Sequence, residues 1–107
     1  MTVKQLAEQF GYRILCMPEE SREVRGGYAG DLLSWVMGRL EADNAWVTIM
    51  SNVNIIAVAT LADPSCIILS EGVELEEDVL ARAMQQGVNV LTTEKTTFAV
   101  CSDLASI

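Results

Sequence analysis

The chain has 107 residues, half of them apolar, a net charge of −8 and no histidine. That length makes one domain, residues 1–107, able to bury about two-thirds of its unfolded surface. The missing histidine excludes imidazole acid–base catalysis, a Ser–His triad and the usual zinc patterns. The charge is uneven. Residues 41–107 carry ten acids against only Arg82 and Lys95; such a surface repels phosphate backbones and anionic membranes, so nucleic acid and membrane are not expected as partners. No stretch approaches the ~20 apolar residues of a membrane span. The first residues also lack the basic-then-apolar layout of a secretory signal, so the expected location is the cytoplasm.

In chain order, Thr2 and Gln5 form a capping-box start. Val3, Leu6, Ala7 and Phe10 then make a helical stripe that Gly11 stops. Residues 12–16 read as a strand, followed by a charged loop and a short extended piece around Val24. Asp31 is the predicted N-cap of a helix running to about Leu40. Its residues Leu32, Leu33, Trp35, Val36, Met37 and Leu40 cover most of the circumference, so it must lie deep or be covered by another chain. Residues 46–50 (WVTIM) read as a strand. Residues 52–64 are ambiguous by propensity, but strands on both sides favour a helical crossover. CIILS (66–70) is a buried strand, and Leu75, Val79, Leu80, Ala83 and Met84 mark an amphipathic helix that Gly87 stops. VNVLTT is a strand; Thr96 or Thr97 caps a last helix with Phe98, Cys101, Leu104 and Ala105 facing inward. From residue 46 the order is β-α-β-α-β-α, the pattern of a mainly parallel sheet with crossover helices.

The glycine-rich stretch VRGGYAGDLLSWVMGRL, residues 24–40, is the chemical candidate. Neither the Walker nor the G-x-G-x-x-G spacing is present. A carboxylate at position 31 would occupy the helix N-terminus where a phosphate binds. Gly26, Gly27 and Gly30 are therefore read as turn and close-packing residues, with Arg22 or Arg25 as the alternative anchors of an anion. The cysteines Cys16, Cys66 and Cys101 lie in apolar surroundings and read as reduced core thiols. Glu71, Glu74, Glu76, Glu77 and Asp78 are helix-dipole partners sooner than a cation site. No catalytic residue, metal or cofactor is expected.

With these residues in hand, the chain resembles stand-alone bacterial DRTGG-domain proteins over nearly all its length. The segments that carry the likeness are REVRGGYAGDLLSWVMG (22–38), WVTIMSNVNIIAVATLAD (46–63), CIILSEG (66–72) and GVNVLTTEKTTF (87–98). The name-giving element corresponds to REVRGG (22–27), without the literal five-residue string. Relatives often carry a histidine within the segment that is residues 51–54 here; this chain keeps Asn54 only. The resemblance implies an α/β fold similar to the N-terminal domain of HPr kinase. It also implies a regulatory or subunit-contact role, as in pyrophosphatases and long phosphate acetyltransferases. Genes of such proteins often lie beside iron-only hydrogenase or other redox genes, which makes a redox or hydrogenase-associated protein the implied partner. The serine-kinase label some members carry does not transfer, because the phosphate loop is missing.

The expected function is thus a non-catalytic regulatory or assembly module, homodimeric through residues 26–40, with Tyr28, Trp35 and Met37 at the interface. The alternative is a sensor of a small anionic ligand, a nucleotide or phosphometabolite. Arg25, Gly26, Gly27, Thr48, Ser51 and Asn54 would bind it near the carboxyl ends of the parallel strands.

Overall fold

The computed structural model, which describes residues 1–107, shows why these short apolar runs become strands. Ala45–Thr48, Cys66–Leu69 and Val90–Thr92 are buried at every position, so each needs cover on both faces. The elements follow in the order α1 Val3–Phe10, β1 Arg13–Cys16, β2 Gly27–Ala29, α2 Leu33–Arg39, β3 Ala45–Thr48, α3 Asn54–Ala62, β4 Cys66–Leu69, α4 Glu77–Gln85, β5 Val90–Thr92 and α5 Thr97–Ala105. The five strands form one sheet in the order β1-β5-β4-β3-β2. Strands β2 to β5 are parallel; β1 runs antiparallel to β5, with an irregularity between Ile14 and Cys16.

Alternation along the strands makes two cores. Trp46, Ile67, Leu69 and Val90 point to one face, where they meet Val36 of α2, Ile55, Ile56 and Ala59 of α3, and Val79 and Ala83 of α4. Ala45, Val47, Cys66, Ile68 and Leu91 point to the other, packed by Val3, Leu6 and Ala7 of α1 and Val100 of α5. Because each crossover steps one strand in the same direction, α2, α3 and α4 share a face, as a constant crossover hand requires.

The helix ends are mostly local. Thr2 and Gln5 make the reciprocal capping box of α1, and Gly11 ends it in the left-handed region at φ 73°. Thr96 caps α5 through the Ala99 N–H. The segment at 54–62 is helical, as its flanking strands demand.

Three expectations are corrected. Residues 27–29 are strand, not turn: only Gly26, at φ 103°, turns the chain, and Gly27 opens β2 beside Ala45. A Cβ at Gly27 would lie 3.0 Å from Leu104 Cδ1, so the glycine lets α5 close on the sheet. Asp31 does not cap α2; the N-cap is Leu32, without a side-chain bond. Finally, α5 turns Val100 inward, while Phe98 is 86% exposed.

Candidate functional site

The carboxyl ends of β3, β4 and β5 place Thr48, Ser70 and Thr92 side by side, all buried. Each hydroxyl is committed internally. Thr48 Oγ1 donates to Asp31 Oδ1 at 2.7 Å, and the Ile49 N–H donates to the same oxygen at 2.9 Å. Ser70 Oγ and Thr97 Oγ1 share a proton contact of 2.6 Å, and the Thr97 N–H donates to Glu71 Oε2. Thr92 Oγ1 donates to the Val73 carbonyl at 2.6 Å. No buried side-chain nitrogen or oxygen lacks a partner. Asp31 therefore closes the end of β3 instead of the mouth of α2. A polar partner across the chain outcompetes the local cap, because here it satisfies a hydroxyl and a backbone amide together.

The six predicted ligand residues do not converge. Arg25, Gly26 and Gly27 lie at the amino end of β2, level with Ala45, while Thr48 is three residues, about 10 Å, further along β3. Ser51 lines a groove of about 460 Å³ whose other polar walls are Asn52, Glu74, Glu76 and Asp78. That wall is acidic and unsuited to an anion. The one-directional strand order also leaves no switch point, the reversal that opens a ligand crevice in doubly wound sheets. Arg22 is not an anion anchor. Its guanidinium donates to Asp43 Oδ1 at 3.1 Å, Asp63 Oδ1 at 2.8 Å and the Asp63 carbonyl at 2.7 Å. Burial alone would lower its pKa, but its hydrogen bonds to these aspartates and their charges raise it.

Asn54 belongs to the largest groove, about 500 Å³ between α3 and α4, with Val53, Ile56, Ala57, Leu61, Thr60, Arg82 and Gln86. An apolar floor with a few polar groups is the usual make-up of a small-molecule site. Arg82, Thr60 and Gln86 are not singled out by the sequence: Arg82 and Gln86 stand one turn apart at the end of α4, but nothing in the sequence links them to Thr60 on α3.

The outer surface of α2 is not covered within the chain. Leu32 is 61% and Trp35 57% exposed, with the Arg39 guanidinium stacked 3.8 Å over the Trp35 ring. Met37 is also exposed, but positions two apart point to opposite sides of a helix, so Trp35 and Met37 do not share a surface. Leu32, the extended N-cap three residues before Trp35, is exposed at the start of the same helix. Tyr28 is half-buried against the α2-side core. Trp46 is fully buried and donates its indole N–H to the Gly30 carbonyl at 2.9 Å.

Nucleophilic chemistry has little to draw on. Burial pushes the Cys66 thiol up to about 12, against hydrogen bonding from Ser65 and the Arg22 charge. Burial also raises the Cys16 thiol. Tyr12 is raised by burial and by its 2.7 Å bond to Asp103. Burial would raise the Asp103 carboxyl, but bonds from Lys95 and Tyr12 and the Lys95 charge hold it below the ordinary range. The three cysteines are unpaired, and no group of carboxylates or thiols has the geometry of a metal site. No helix is long and apolar enough to cross a membrane.

Residues 5–107 match the DRTGG domain. The chain belongs to the DRTGG domain family. Its fold is similar to that of the CBS and DRTGG domains of the regulatory region of Clostridium perfringens pyrophosphatase, solved with its activator diadenosine tetraphosphate. The TM-score is 0.75 at 12% identity, over 96% of this chain and 45% of that one, a likeness of fold. This DRTGG domain thus spans less than half the length of that regulatory chain. No curated protein matches the sequence. The single α/β domain and its mainly parallel sheet agree with the sequence reading.

Proposed function

We infer that this DRTGG domain is a non-catalytic regulatory module that works as a homodimer, with Leu32 and Trp35 of the α2 segment in the seam. The uncovered apolar side of α2 carries the reading. A Leu and a Trp three residues apart, each more than half exposed on a chain of net charge −8, are what an interface core needs and a free surface does not. The internally satisfied hydroxyls at the strand ends and the buried thiols of Cys16 and Cys66 support a role without chemistry. Unpaired cysteines fit the reducing cytoplasm. From the sequence resemblance, the protein it reports to is redox or hydrogenase-associated. Light scattering tests the homodimer: the wild type is expected at twice the chain mass at ~50 μM, an interface working range, and Leu32→Ser/Trp35→Ser at one chain mass. A monomeric wild type rejects the reading.

A second reading, a sensor of a nucleotide or phosphometabolite, is favoured by the groove around Asn54 and Arg82 and by the nucleotide bound to the similar pyrophosphatase region. Arg25, Gly26, Gly27, Thr48 and Ser51 would contribute only in an assembly or a rearranged state, since they stand apart from that groove. A thermal-shift panel that includes diadenosine tetraphosphate tests it: a ligand at 100 times its Kd adds about 2.7 kcal/mol, and Arg82→Ala abolishes the shift. A panel without any shift removes this reading.

A further inference from the structure

The sheet has two edges, and they are built differently. At β1 the edge is broken by the irregularity between Ile14 and Cys16 and carries Arg13, ion-paired to Glu74 at 2.8 Å. A bulge and a charge are two of the devices by which proteins keep sheet edges from pairing. At β2 there is neither. The edge is Gly27-Tyr28-Ala29, flanked by Gly26 and Gly30, and its only protection is its brevity.

The pairing of β2 with β3 fixes which groups face outward. The Gly26 carbonyl accepts from the Ala45 N–H, and the Gly30 N–H donates to the Val47 carbonyl. In a parallel ladder, alternate residues then face β3, so residues 26, 28 and 30 point inward to it. The N–H and C=O groups of Gly27 and Ala29 point away from the sheet. Both residues are exposed, and neither has a side chain large enough to hold a neighbour off.

We propose that β2 pairs with β2 of a second copy, antiparallel across a two-fold axis at Tyr28, joining the two sheets into one. This rests on the homodimer reading and specifies its contact. The register is self-complementary. The Gly27 N–H donates to the Ala29 carbonyl of the second copy, and the Ala29 N–H donates to the Gly27 carbonyl of that copy. The symmetry makes each bond twice, as an isologous interface requires. On one side of the new junction lies the apolar groove of about 310 Å³ formed by Gly27, Ala29, Val47, Cys101, Leu104 and Ala105, so pairing removes apolar surface as well as capping amides. Charge along the segment permits this contact. Residues 24–40 carry Arg25, Arg39 and Asp31, whereas residues 41–107 carry ten acids against two bases. The segment that holds β2 thus adds no net negative charge to the seam of two −8 chains.

The test uses Ala29→Pro. Proline is tolerated on an edge strand whose N–H faces solvent, so the monomer fold is retained while the cross-seam donor is lost. Ultracentrifugation and amide exchange are read together. The expected result is a dimeric wild type with Gly27 and Ala29 amides slowed at least tenfold relative to an open edge, and a variant with native circular dichroism at one chain mass. If the variant loses its native spectrum, exchange in the wild type alone decides. A variant that stays dimeric, or Gly27 and Ala29 amides that exchange as freely as an open edge in a dimeric wild type, overturns strand pairing and leaves the homodimer standing. A monomeric wild type overturns both.

Discussion

A single guanidinium holds three loops of this DRTGG domain. Arg22, one-fifth exposed, bridges Asp43 and Asp63, both of which sit in the left-handed region at φ 65° and 61°. Non-glycine residues there are strained, and the bidentate contacts offset the cost. Lysine keeps the charge but cannot reach both aspartates from one rigid fork. Arg22→Lys is therefore expected to lose about 1–3 kcal/mol in urea unfolding, with an unchanged far-ultraviolet spectrum. A second polar knot ties α5 to the end of α1: Tyr12 and Lys95 both donate to Asp103 Oδ2. Because the folded carboxyl sits below its unfolded value, its contribution is complete above that value, near pH 4, and is lost as the pH falls through the lower folded one. The stability gap between wild type and Asp103→Asn should be widest at neutral pH and shrink below about pH 4. A gap that stays constant from pH 6 to pH 3 would contradict the assignment.

Elements whose ends are set by neighbours in sequence were legible, and those set by distant partners were not. The capping box of Thr2 and Gln5, the stop at Gly11 and the Thr96 cap involve residues within a turn of one another. The buried strands announced themselves by unbroken apolar runs. By contrast, β2 is three residues with a glycine at its start, and no intrinsic preference makes it a strand; β3 does, by pairing. Asp31 followed the cap rule locally, yet Thr48 and Ile49 claim its carboxylate from seventeen and eighteen residues away. In α5 the period was right and the phase was off: the inward stripe centres on Val100 with Cys101 and Leu104, which carries Phe98 out to solvent. The candidate ligand residues failed to converge for the same reason. The polar signals along residues 25–27 and 48–54 fall at opposite ends of a parallel pair.

For the whole molecule, the constant direction of the crossovers decides more than its shape, which is compact at a radius of gyration of 11.9 Å. It gathers α2, α3 and α4 on one side and reserves the other for α1 and α5, the first and last helices. The Met1 carbonyl accepts from the Val24 N–H, and Leu104 rests against Gly27, three residues beyond Val24. The first residue and the last helix thus both meet the stretch 24–27. A fold with neighbouring exits can be spliced into the loop of a host protein through brief connectors, without prising the host apart.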